Sequence, residues 1–146
     1  ELARRLSERG VDTAGVAAAT LHRFRPQGFA MLQRVLGTFA FHADGRIAVG
    51  RATRQMLEDT GAAMSDTEGF VNLAMSIDGV EMAALMKEAE EGRWRVSLRS
   101  RGAGDVQAVA ARHGGGGHRQ AAGLDLEGSA DEVAALLAAE LEAALT

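Results

Sequence analysis

The sequence predicts an α/β domain of the α+β kind: a single mixed sheet with flanking helices, preceded by short helices that read as the end of a neighbouring domain. Three observations predict it. Two stretches of alternating apolar character, around residues 38–50 and 79–100, each fold back on a turn signal, Ala43-Asp44-Gly45 and Glu91-Gly92, which marks two hairpins. Segments of helical spacing with capping residues lie between and after them. The chain has 146 residues, 47% of them apolar, enough for one sizeable core.

In chain order, residues 1–22 read as two short helices broken at Gly10, with Asp12 or Thr13 capping the second. The chain opens at Glu1 directly in a helix-like pattern of Leu2, Leu6 and Arg9, so it is expected to be a piece of something longer. Pro26 suits the first turn of a third helix, to about Val35, with Met31, Leu32, Val35 and Leu36 on one side. Residues 1–36 therefore read as the tail of a preceding domain plus a connector, and residues 37–146 as the domain itself.

Thr53 can cap a short helix, Arg54 to Thr60, that ends at Gly61. Residues 62–69 read as a loop, and 69–76 as a turn of helix. Asp105 caps a helix from Val106 to Arg112, and a short strand is expected at Leu124–Leu126. Ser129 and Glu132 form a capping box for a last helix. Its stripe of Val133, Leu136, Leu137, Leu141 and Leu145 has helical spacing and belongs in the core.

Composition excludes several classes. There are no cysteines, so disulfides and thiolate metal sites are out and a cytoplasmic location is expected. No apolar run approaches the roughly 18 residues that cross a bilayer, so no membrane partner is expected. Net charge is −4, which disfavours a basic coat for long nucleic acid. The charge is unevenly spread, however. Residues 60–91 carry seven acids and one lysine, and residues 124–146 carry six acids and no base. Between them, residues 92–123 carry six arginines against Asp105 alone.

That positive segment contains "ARHGGGGHRQAAG", residues 111–123. Four consecutive glycines lose much backbone entropy on ordering, so positive φ or close backbone approach must require them. A glycine-rich turn beside a helix can aim successive N–H groups at an anion. It is no Walker loop, because His118-Arg119-Gln120 follows the glycines. It is no dinucleotide fingerprint either, because the helix precedes it. Hinge or packing roles are the alternative. His113 and His118 lack nearby cysteines and acids, so a closed metal site is not expected; His118 suits hydrogen bonding to phosphate. In "RWRVSLRS", Trp94, Val96 and Leu98 share one face of a strand, and Arg95, Ser97 and Arg99 the other.

"RVSLRSRG" followed by "DVQAVAARHGGGGHRQAAG" resembles the C-terminal DHH-associated domain of DHH-family phosphoesterases, in the oligoribonuclease and pAp-phosphatase branch. "DTEGFVNLAMSIDGVEMAALMKE" is similar to the start of that domain. "ELARRLSERGVDTAGVAAATL" is similar to the last helices of the catalytic domain before it. His113 departs from the pattern, standing where an aromatic or aliphatic residue is expected. The resemblance implies two-metal hydrolysis with two Mn²⁺ ions, held by a cluster that includes Asp-His-His. That triplet is nowhere in these 146 residues. The chain is thus expected to hold no metal and to be inactive or nearly so alone, the ions belonging to a catalytic domain that it partners in the full-length protein.

The resemblance also implies a site. Gly114, Gly115, Gly116 and Gly117 would cradle a phosphate and His118 would donate to it, with Arg119 beside it. Arg99 and Ser100 would meet the same or an adjacent phosphate, and Ala121, Ala122 and Gly123 would allow close packing behind. The implied ligands are short RNAs or nucleotides such as pAp, bound without base readout. Two alternatives stand: a non-enzymatic nucleic-acid-binding module, and the substrate domain of an exopolyphosphatase-like phosphoesterase.

Overall fold

The computed structural model describes residues 24–146, so the two helices expected within residues 1–22 lie outside the described residues. The elements run α1 (Pro26–Leu36), β1 (Ala40–His42), β2 (Ile47–Ala52), α2 (Arg54–Thr60), a 3₁₀ turn (Met64–Thr67), α3 (Phe70–Ala74), β3 (Met82–Glu90), β4 (Arg93–Ser100), α4 (Val106–Arg112), β5 (Gly116–His118), β6 (Ala121–Glu127) and α5 (Ala130–Ala144). They form one six-stranded sheet in the order β1-β2-β3-β4-β6-β5.

Local chemistry sets the element ends. The Thr53 hydroxyl accepts from the Met56 amide, the Asp105 carboxylate from Ala108, and the Ser129 hydroxyl from Glu132. Glu132 reaches back to the Ser129 amide at 2.9 Å, completing the capping box. Gly61 closes α2 in the left-handed region at φ 67°. Both expected hairpins form, β1–β2 and β3–β4. β2 and β3, however, pair in parallel, which requires a crossover; α2 and α3 supply it.

The sheet divides two cores. On one face, Met82, Ala84, Met86, Trp94, Val96, Leu98 and Leu124 pack beneath α4 and α5 through Val106, Val109, Val133, Leu137 and Leu141. On the other, Ala48, Ala52, Ala83 and Leu85 pack against Met31, Leu32 and Val35 of α1 and Phe70, Val71 and Ala74 of α3. The sequence reading set a boundary after residue 36. The packing places the apolar stripe of α1 in this second core.

The second core contains no residue of β4, β6 or β5. On that side, β6, β5 and the part of β4 away from α3 are left without a helical layer. This open half-face positions the candidate site.

Candidate functional site

Residues directly opposite each other in an antiparallel ladder share a face, so register lays out the open half-face in rows. Arg99 pairs with Ala121, which pairs with His118. Ser97 pairs with Gly123, which pairs with Gly116. Lys87 pairs with Arg95, which pairs with Asp125. The floor between the side chains is therefore Ala121 and Gly123, with Gly116 at its edge.

Arg99 and His118 stand in one row, two strand spacings apart, about 10 Å between Cα atoms. Arg99 Nε donates to Asn72 Oδ1 of α3 at 3.0 Å, and Nη1 donates to the Leu98 carbonyl at 2.9 Å. These bonds hold the guanidinium beside α3 and leave Nη2 without a partner among the described residues. The exposed His118 ring is likewise unengaged among them.

The glycine run is not one continuous cradle. The Gly114 and Gly115 amides donate to the carbonyls of Ala111 and Ala110, at 3.2 and 2.9 Å, and so close helix α4. Gly116 and Gly117 belong to β5. That strand has a neighbour on one side only; the ladder register directs the Gly116 and His118 amides at β6, so the Gly117 amide is the one that faces outward at the sheet edge.

Three of the four glycines have internal reasons. Gly114 sits at φ 74° and Gly117 at φ 141°. A Cβ on Gly115 would lie 2.3 Å from the Gly123 carbonyl, and one on Gly117 would lie 2.6 Å from the Ala121 carbonyl. Gly116 is different: its φ is not positive, and a Cβ there would meet nothing within 4 Å.

The turn at Arg119 and Gln120 is held by two bonds. The Arg119 carbonyl accepts from Val106 N at 3.1 Å, and the Gln120 carbonyl from Ser100 N at 3.0 Å. The Arg119 side chain is exposed at the tip.

Ser100 does not join the others. Strand alternation turns it to the opposite, buried face. There its hydroxyl donates to the Gly104 carbonyl at 2.9 Å and accepts from the Gly102 amide at 3.1 Å. It stabilises the loop after β4 and cannot share a ligand with Arg99 on the open face.

His113 is also engaged elsewhere. It faces Glu140 of α5 at 3.2 Å, and Arg112 pairs with the same carboxylate. Arg112, and secondarily His113, hold Glu140 below the usual carboxylate range against the opposing effect of burial.

Sequence reasoning gave no site role to Lys87, Ser97 or Asn72. Lys87 is the chain's only lysine; its pKa is pushed down by burial first and then by Arg95, with Arg99 adding to this and Glu68 opposing. Counting back from the Glu91-Gly92 turn places it opposite Val96; an irregularity in β3 between Glu88 and Glu90 shifts it to Arg95. Asn72 carried no such signal, because only the crossover brings α3 beside β4. Among the described residues, no group of three or more His, Asp or Glu side chains could hold a metal ion. These residues do not fit a two-metal centre. No helix among them is long and apolar enough to cross a membrane.

The family model of the DHHA1 domain matches residues 42–145. The chain is 39% identical over 107 residues to the bifunctional oligoribonuclease and PAP phosphatase NrnA of Thermus thermophilus, a match covering 73% of this chain and 31% of that protein. It thus spans about a third of that relative's length. An exopolyphosphatase-related protein from Bacteroides fragilis superposes with a TM-score of 0.83 at 25% identity, over 94% of this chain and 41% of that one. The pGpG-specific phosphodiesterase PggH from Vibrio cholerae has a TM-score of 0.58 at 13% identity, over 83% and 40%, a likeness of fold alone.

Proposed function

Because this chain belongs to the DHHA1 domain family, the domain associated with DHH phosphoesterases, we propose that its open half-face binds the phosphate end of a short oligoribonucleotide or of pAp. It would present that substrate to a metal-dependent catalytic domain in the same polypeptide. The two Mn²⁺ ions of such an enzyme would belong to that other domain.

One observation carries the reading: Gly116. Neither backbone strain nor packing in this chain explains a glycine there, and strands otherwise disfavour glycine. A bare edge backbone admits a phosphate oxygen to hydrogen-bond distance. His118 stands two residues along the same edge, and Arg99 closes the row across Ala121. Charge-assisted bonds of this sort hold phosphate without reading a base.

Titration of the chain with 5′-adenylate and with pAp tests this. Arg99→Gln and His118→Gln should each weaken binding about tenfold, the loss of one hydrogen bond to a charged group. Their thermal unfolding should stay near the parent's. Unchanged affinity in both variants would remove the site assignment.

A further inference from the structure

Lys87 is the chain's only lysine and stands outside the Arg99 row. It lies on β3, directly opposite Arg95 of β4, so the two side chains share a face of the sheet. The Lys87 side chain is half-buried and forms no hydrogen bond or ion pair among the described residues. It lines a hollow of about 400 Å³ together with Met64, Ser65, Glu68, Ala89 and Arg95. One wall of that hollow is the 3₁₀ turn Met64–Thr67 and the residue after it.

An ammonium needs water or a carboxylate beside it, and Lys87 has only part of each. Burial removes some of its water, and Arg95, with Arg99 beyond it, repels it. Glu68 attracts it through space but forms no ion pair with it. Asp125, the remaining acid of this row, lies 3.8 Å from Arg95 Nε and answers that guanidinium. The balance holds the Lys87 pKa below that of an ordinary lysine. A larger share of Lys87 is therefore neutral amine near neutral pH, and the neutral amine is the nucleophile.

The half-exposed side chain can be reached, and the hollow beside it has room for a small reagent. An acyl phosphate is the electrophile that these neighbours suit. Its carbonyl carbon takes an uncharged amine, and its phosphate carries the charge that a guanidinium binds. We infer that Lys87 is a site of acylation by small acyl phosphates. Nζ bonds to the acyl carbon, the bond from that carbon to the phosphate oxygen breaks, and phosphate leaves with the electron pair. The proton lost from nitrogen goes to water. The product is a neutral amide, so the repulsion between an ammonium and Arg95 disappears. The inference is independent of whether the Arg99 row binds a nucleotide.

The test uses the whole chain with acetyl phosphate, and N-acetyl-lysine amide as a reference amine in the same solution. Peptide mass spectrometry separates Lys87 from the chain's α-amine. At about pH 7.5, Lys87 should be acetylated about threefold faster than the reference or more, with its pH profile displaced downward. In urea that unfolds the chain, the two rates should converge. Arg95→Gln should slow the reaction and move the profile up towards the reference. Glu68→Gln should speed it and move the profile down, because the attraction that favours the ammonium is gone. Arg95 and Glu68 are both exposed, so these variants should fold. A Lys87 rate no greater than the reference, a rate that unfolding leaves unchanged, or a shift of opposite sign in either variant overturns the inference. An uncharged acetyl thioester should show a smaller advantage over the reference than acetyl phosphate does; an equal or larger one overturns the choice of acyl phosphate.

Discussion

Replacing Gly116 with alanine separates a glycine kept for a ligand from one kept for the fold. The new methyl meets no atom within 4 Å, and the backbone there needs no positive φ. Folding should therefore not suffer. Restricting the unfolded chain should stabilise by about 0.4–1 kcal/mol, a rise in Tm of roughly 1–3 °C for a chain of this size. Binding should suffer, because the methyl stands on the surface a phosphate oxygen must approach. Losing one hydrogen bond to a charged acceptor is worth about 1.5–3 kcal/mol, or roughly ten- to a hundredfold in Kd.

Gly115→Ala is the contrast. Its methyl would lie 2.3 Å from the Gly123 carbonyl and 2.7 Å from Leu124 Cβ, so the backbone must move. A cost of about 1–3 kcal/mol lowers Tm by several degrees. Differential scanning calorimetry and calorimetric titration with pAp read both quantities. A Gly116→Ala chain that melts like the parent and binds pAp within twofold refutes the reasoning. One that melts several degrees lower shows that Gly116 is structural after all.

Two further outcomes follow from internal bonds. Ser100→Ala removes a buried hydroxyl and leaves the Gly104 carbonyl and the Gly102 amide short of partners. Stability should fall by about 1–3 kcal/mol with pAp affinity unchanged, and a loss of binding without a loss of stability would return Ser100 to the site. Asp66, Glu81, Glu132 and Glu140 all have folded pKa values below their ordinary ones, chiefly through hydrogen bonds from Arg25, Arg46, the Ser129 amide and Arg112 respectively. The unfolded chain therefore binds more protons, so their contribution is complete above the normal carboxylate range near pH 4 and is lost as pH falls through and below it. Urea midpoints that hold level from pH 7 to 5 and then drop would agree, and midpoints that rise on acidification would not.

What the sequence by itself determined is whatever neighbouring residues decide among themselves. Thr53, Asp105 and the Ser129–Glu132 box set helix starts within three residues, because a cap acts on the amides of its own first turn. The turn signals at Ala43-Asp44-Gly45 and Glu91-Gly92 paired β1 with β2 and β3 with β4, since a hairpin needs only its own chain. The alternation in residues 93–100 separated Trp94, Val96 and Leu98 from Arg95, Ser97 and Arg99 before any fold was known. The family resemblance, resting on the glycine run and its flanks, was legible for the same reason.

Tertiary structure alone decided the rest. The parallel pairing of β2 with β3, and the place of α1 in the second core, depend on residues far apart in the chain. Three consecutive residues around the glycines were too short and too polar to read as a strand, yet β6 makes them one by pairing with Gly116–His118. The glycine run looked like a single cradle because sequence shows composition and not bonding partners; two amides turned inward to close α4. Arg99 and Ser100 are adjacent in the chain and face opposite sides of the sheet, whereas Arg99 and His118, nineteen residues apart, face the same one. Strand register is a long-range property, and it is register that brings Arg99, His118 and Gly116 onto one face.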